Sequence, residues 1–81
     1  MKRHELKVDP ELFRAIRGGF KTAEIRKDDR GFEVGDILIL YPFDRATGRA
    51  ASPHVIHREV THKVVGGQFG IEAGYCLLSM R

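Results

Sequence analysis

The stretch Ile37-Leu38-Ile39-Leu40-Tyr41 is an unbroken apolar run. A run of this kind suits a central strand covered on both faces. Val34-Gly35-Asp36 precedes it as a tight turn and Pro42 closes it. The chain has 81 residues in all, which means one small domain, residues 1–81, with a thin core. Surface scaling gives about 63% of the extended surface buried on folding. Hydrophobic residues make up 42% and charged residues 31%, a globular balance rather than a disordered one. Cys76 is the only cysteine, which excludes an internal disulfide and a multi-cysteine zinc site. No apolar run reaches the roughly 20 residues of a membrane span. Met1-Lys2-Arg3-His4-Glu5 has no apolar segment behind it and does not read as a signal peptide. The expectation is a cytoplasmic protein without membrane partners.

Around the central run the pattern predicts one helix and four further strands. His4, Leu6 and Val8 alternate with Glu5 and Lys7, as in a short strand with one buried face. Asp9-Pro10-Glu11 reads as a helix start, with Asp9 as cap and Pro10 in the first turn. Leu12, Phe13 and Ile16 share a face, and Gly18-Gly19 stops the helix at about residue 17. Phe20 to Lys27 reads as a polar strand, with Ala23 and Ile25 toward the core and Thr22, Glu24 and Arg26 outward or into a groove. Lys27 to Gly31 is turn chemistry, and residues 43–54 form an exposed connection. Val55 to Val65 is a long strand, Gly66-Gly67 through Gly70 a turn, and Gly74 to Met80 the final strand. Strand, helix and four strands predict an α+β fold: a small, curled, five-stranded sheet or partly open barrel with the helix at one end. Such a fold offers a groove between the helix and the strand that follows it.

Charge is uneven. Residues 1–30 hold nine Lys/Arg and six Asp/Glu, whereas residues 31–81 hold five of each. The whole excess of +3 therefore lies in the first 30 residues, compatible with an anionic partner or with an ordinary soluble surface. The densest polar cluster is Gly19-Phe20-Lys21-Thr22-Ala23-Glu24-Ile25-Arg26-Lys27. A carboxylate flanked by Lys and Arg stays ionised. The plain alternative is a solvated strand face with cross-strand ion pairs.

Three stretches resemble a known family. They are His4-Glu5-Leu6-Lys7; then Gly19-x-Lys21-Thr22-x-Glu24-Ile25-Arg26-Lys27-x-Asp29-Arg30-x-Phe32; then Val34-Gly35-Asp36-Ile37-Leu38. Together they look like an ASCH domain of the PUA-like superfamily, most similar to the small bacterial and phage proteins grouped as DUF3850. Arg58-Glu59-Val60-Thr61 and Gly74-Tyr75-Cys76-Leu77-Leu78 fit as well, so the resemblance spans nearly the whole chain. It implies a PUA-like β-barrel that binds RNA or a nucleotide-like ligand in a cleft beside the motif, with no cofactor. Lys21, Arg26, Lys27 and Arg30 would supply positive charge there, and Glu24 an acceptor for a base edge.

The same resemblance implies an alternative. Some ASCH proteins are amidohydrolases that deacylate N4-acetylcytidine with a lysine, a threonine and a later glutamate. Lys21 matches the lysine. Glu24 stands at the threonine position, and Glu72 is a poor match for the later glutamate. A Lys21–Glu24 pair would have to do acid–base work on water. That needs Lys21 to turn onto the Glu24 face, against strict strand alternation.

The remaining residues point to structure. His54, His57 and His62 cannot share an ion along a straight strand: His57 faces away from the others, and His54 and His62 lie about 26 Å apart. No metal site is expected. His62, between Val60 and Val64, reads as a half-buried core histidine, and His4 as packed or at the cleft edge. Phe13, Phe20, Phe32 and Tyr41 read as core or cleft-lining. Gly66-Gly67-Gln68-Phe69-Gly70 lacks the Lys-Ser/Thr ending of a phosphate loop. Cys76 reads as an inert buried thiol.

Overall fold

The computed structural model describes all residues, Met1–Arg81. The elements run in order β1 (Arg3–Val8), α1 (Pro10–Arg17), β2 (Ala23–Lys27), β3 (Ile37–Asp44), β4 (Arg49–Ala50), β5 (Ile56–Val65) and β6 (Tyr75–Met80). The strands form one mixed sheet in the order β1-β3-β5-β6-β2, with β4 paired to the end of β3. Only β1 and β3 are parallel; the other pairs are antiparallel. No hydrogen-bonded ladder joins β1 to β2, so the sheet is open and its two edges are those strands. The α+β architecture with one short helix is as expected, whereas the strand pairing leaves a seam where a barrel would close.

The apolar run is central, with β3 between β1 and β5, but only one of its faces is buried: Leu38 and Leu40 point into the core, and Ile37, Ile39 and Tyr41 stay half-exposed on the other. The strand continues past Pro42 to Asp44, farther than the expected stop. Ile37 donates its N–H toward β1, so by the period of two an N–H at position 42 would aim at the opposite edge. Pairing with β5 ends at Leu40, and on that edge the Pro42 carbonyl accepts from Ala51 N–H at 2.9 Å, a single bond that needs no donor from the proline. The segment expected as an exposed connection includes β4, held by Phe43↔Ala50 and Asp44↔Arg49.

The helix occupies the expected residues. Phe13 and Ile16 are buried, while Leu12 turns to solvent. Asp9 sits at the N-cap position, but its side chain makes no capping bond; it pairs instead with Arg45, Oδ1 to Nε 3.0 Å. At the other end Arg58 of β5 donates to the Ile16 carbonyl, 3.2 Å. The core gathers one face of each main element: Leu6 and Val8 of β1, Phe13 and Ile16 of α1, Leu38 and Leu40 of β3, Ile56 and Val60 of β5, and Cys76, Leu78 and Met80 of β6, with Phe32.

Besides Leu12, three expected facings are overturned. In β2 it is Glu24 that is buried, at 6% exposure, and Ile25 that faces solvent, at 60%. His62 is exposed, because the β5–β6 register slips by one residue between Val60 and His62. One extra residue reverses every facing beyond it. Phe20 is 91% exposed, thrown outward by the turn at Gly18-Gly19. No helix is long and apolar enough to cross a membrane.

Candidate ligand-binding cleft

The open edges of β1 and β2 define the site. Thr22 accepts from Met80 N–H and Asp28 N–H donates to the Gly74 carbonyl at the two ends of the β2–β6 ladder. Alternation then gives Glu24 and Arg26 to β6 and aims the peptide groups of Ala23, Ile25 and Lys27 at the seam. On β1 the Lys2 carbonyl faces β3, so the Glu5 and Lys7 carbonyls face the seam. Side chains close it. Arg26 Nη2 donates to the Lys7 carbonyl, Arg30 Nη1 to the Glu5 carbonyl at 2.7 Å, and Lys2 Nζ to the Gly31 carbonyl at 2.6 Å. Charged side chains thus satisfy edge carbonyls that would otherwise invite another strand.

Glu24 organises the β2 side. Its Oε1 lies 3.1 Å from Lys21 Nζ and its Oε2 3.1 Å from Arg26 Nε. The Glu24 side chain is 8% exposed. A carboxylate this buried is retained only when its oxygens are paired, which is why it displaces Ile25 from the inner face. Lys21 also donates to the Ala23 carbonyl. Lys21 precedes β2, outside strict alternation, and so reaches Glu24.

Next to this cluster lies an open cleft of about 280 Å³. Lys7, Val8 and Asp9 of β1 and its exit form one wall, Glu24 to Lys27 of β2 the other, with Leu12 and Arg45 at the rim. A second lobe of about 270 Å³ shares Lys7, Val8, Asp9, Arg26 and Arg45 and adds Phe43. Lys7 Nζ stands over the Phe43 ring, 4.4 Å from its centroid. Four basic side chains (Lys7, Arg26, Lys27, Arg45) face two acidic ones (Asp9, Glu24). Both carboxylates are already paired, so the field at the mouth is positive.

Of the five residues expected to bind ligand, Glu24, Arg26 and Lys27 line the cleft. Lys21 touches it only through Glu24, and Arg30 lies beyond it on the seam. Lys7, Phe43 and Arg45 were not anticipated. Lys7 carried a signal, as an outward residue on the first strand, but nothing in the sequence places Arg45, in the β3–β4 turn, beside Asp9.

A separate buried cluster lies at the start of β3. Asp36 Oδ1 accepts from Lys2 N–H at 3.0 Å, and Oδ2 from Glu33 N–H at 3.0 Å and from His4 Nε2 at 2.9 Å. Burial pushes the Asp36 carboxyl up, but these donors outweigh it and lower its pKa from 3.8 to about 2. An ionised carboxylate only accepts, so His4 Nε2 carries the proton. The His4 ring meets Phe32 edge-on, with centroids 4.7 Å apart. Neither residue lines the cleft. Cys76 is fully buried; burial, then the nearby Asp28 charge, raises its thiol pKa against the opposing pull of Lys63. That is the setting of an inert thiol.

Residues 3–80 match the family model described as "Domain of unknown function (DUF3850)". The chain is also similar to the "Uncharacterized 12.9 kDa protein in GpA 3'region" of Escherichia phage P2, with 39% identity over 56 residues. That alignment covers 67% of this chain and 51% of the phage protein. The chain therefore spans about half the length of this relative.

Proposed function

We propose that this chain, which belongs to the DUF3850 family, is a module that binds RNA or a nucleotide-like ligand in the cleft between β1 and β2. The observation that carries this reading is the four-to-two excess of basic side chains around an open cleft. Phosphate is the common anion that such a surface neutralises. Lys27 has no ion-pair partner at the mouth, Lys7 stands over Phe43 and Arg45 pairs with Asp9 through Nε. Arg26 is held by Glu24 and the Lys7 carbonyl through Nε and Nη2, which leaves Nη1 to point at a ligand from a fixed platform. Glu24 in this reading positions Lys21 and Arg26, and its oxygens are committed to them rather than to a base edge. The same reading assigns the fold to the ASCH domains of the PUA-like superfamily, with the motif from Gly19 to Arg26 at the rim of the cleft and the seam at the barrel's closure.

Salt dependence tests it. Each phosphate contact to a single strand contributes about 0.7 to the slope of log affinity against log salt. Labelled single-stranded RNA is titrated at several salt concentrations with wild type and with Lys27→Ala/Arg45→Ala. The double variant loses affinity and its slope falls by about 1.4. Unchanged affinity and slope remove the assignment.

One observation favours the hydrolytic alternative: Lys21 and Glu24 are in contact, as deacylation of an N-acylated nucleoside requires. Against it, Lys21 is absent from the cleft walls. Incubation with N4-acetylcytidine decides between them. Cytidine release that Lys21→Ala and Glu24→Gln both abolish would replace the binding module with an amidohydrolase.

A further inference from the structure

We infer that Phe43 is a stacking platform for a nucleobase, covered in the free protein by Lys7, and that the cleft therefore takes a single-stranded segment rather than a lone phosphate or mononucleotide. This rests on the nucleic-acid reading of the cleft and names the form of its ligand. Phe43 is the only aromatic residue lining either lobe. It lies on the outward face of β3, because its neighbour Pro42 is buried on the inner one. Its ring is half-buried, and the Lys7 ammonium stands over it at 4.4 Å.

That cover is exchangeable. A cation over a ring still partly open to solvent is a weak contact, and phosphate attracts the same ammonium more strongly. A ligand carrying both phosphate and base draws Lys7 off the ring to the phosphate and offers the base to the uncovered face. Every base has a π-face, so the platform is tolerant of sequence. The two lobes add length. Arg26, Arg45 and Lys7 belong to both, whereas Phe43 belongs to one and Ile25 with Lys27 to the other. One nucleotide stacks on Phe43, the linking phosphate lies over the shared cations, and the next nucleotide rests against Ile25.

The chain contains no tryptophan, so Phe43→Trp supplies a single fluorescent reporter at the platform. It is titrated with a uridine pentanucleotide, with the same backbone lacking bases, and with uridine monophosphate. In parallel, wild type, Phe43→Leu and Lys27→Ala/Arg45→Ala are titrated with the two labelled oligomers. The expected result is quenching of the indole fluorescence of the Phe43→Trp variant by the base-bearing oligomer and not by the abasic one. Phe43→Leu weakens the base-bearing oligomer about tenfold and leaves the abasic one unchanged, and uridine monophosphate binds at least tenfold more weakly than the pentanucleotide. If Phe43→Leu and wild type bind both oligomers alike while the double variant is weakened, stacking is wrong and the basic cleft stands. If uridine monophosphate matches the pentanucleotide, the segment is wrong. If wild type binds no oligomer, the cleft reading falls and takes this inference with it.

Discussion

At Asp36 three donors converge on two oxygens. An amide there keeps one acceptor and turns an N–H₂ against a donor. Asp36→Asn should therefore cost about 2–3 kcal/mol, the usual loss for a buried hydrogen bond to a charged group, as read from the denaturant midpoint at neutral pH. The acid limb carries the same signature. The folded carboxyl, at about 2, binds its proton less readily than at its ordinary 3.8. Its stabilisation is complete above 3.8 and fades as pH falls toward 2, since the unfolded chain takes up the proton first. Wild type should lose stability across that window more steeply than Asp36→Asn; parallel curves would show that the network contributes nothing through ionisation. Gly66 is a second residue whose role is local. An added Cβ would collide with the backbone carbonyls of Glu72 and Tyr75, neither of which is a flexible end that gives way. Gly66→Ala should lower stability by about 2–3 kcal/mol, whereas Gly66→Ala leaving the thermal midpoint unchanged would show that the β5–β6 turn rearranges freely. Both sites stand in the sequence only as turn residues. The donors that make Asp36 costly to change come from Lys2 and His4, which spacing along the chain does not bring near it.

The secondary elements were the most legible level of the sequence, and their facings the least. The helix from Pro10 to Arg17 follows from Asp9-Pro10 and Gly18-Gly19, and the apolar run gave the central strand β3. Two facings failed for identifiable reasons. Apolar-in patterning assigns Ile25 to the core, but a carboxylate with two cations within 3.1 Å takes the inner position instead. Strict alternation assigns His62 the facing of Val60, and the register slip between them reverses it. The site was legible in half. The motif gave Glu24, Arg26 and Lys27, while Lys7, Phe43 and Arg45 reach the cleft through pairings distant in sequence. The difference between seam and cleft separates two cations that look alike in sequence. Arg30 is spent on the Glu5 carbonyl of the β1 edge, and Lys27 is free at the cleft wall. Arg30→Ala should lower stability by up to about 1 kcal/mol and leave RNA affinity as it is. Lys27→Ala should do the reverse, weakening RNA and sparing the unfolding midpoint. Equal losses of affinity from both would merge the seam with the site.

Across the whole molecule, one open sheet edge meets another, and the chain spends Lys2, Arg26 and Arg30 to bridge them. The excess charge of the first 30 residues, which the sequence left open between a partner and an ordinary surface, is in large part used to hold this seam. Of the remainder, Lys7 and Lys27 line the cleft at the end of the seam where β1 gives way to α1. The most direct measurement of the account is the backbone amide spectrum of the labelled protein during titration with single-stranded RNA. The account predicts shifts confined to residues 7–9, 24–27 and 43–45, saturating with added RNA, while amides around His4, Asp36 and Cys76 stay in place. Saturable shifts centred on another surface, or none at all at saturating RNA, would contradict it.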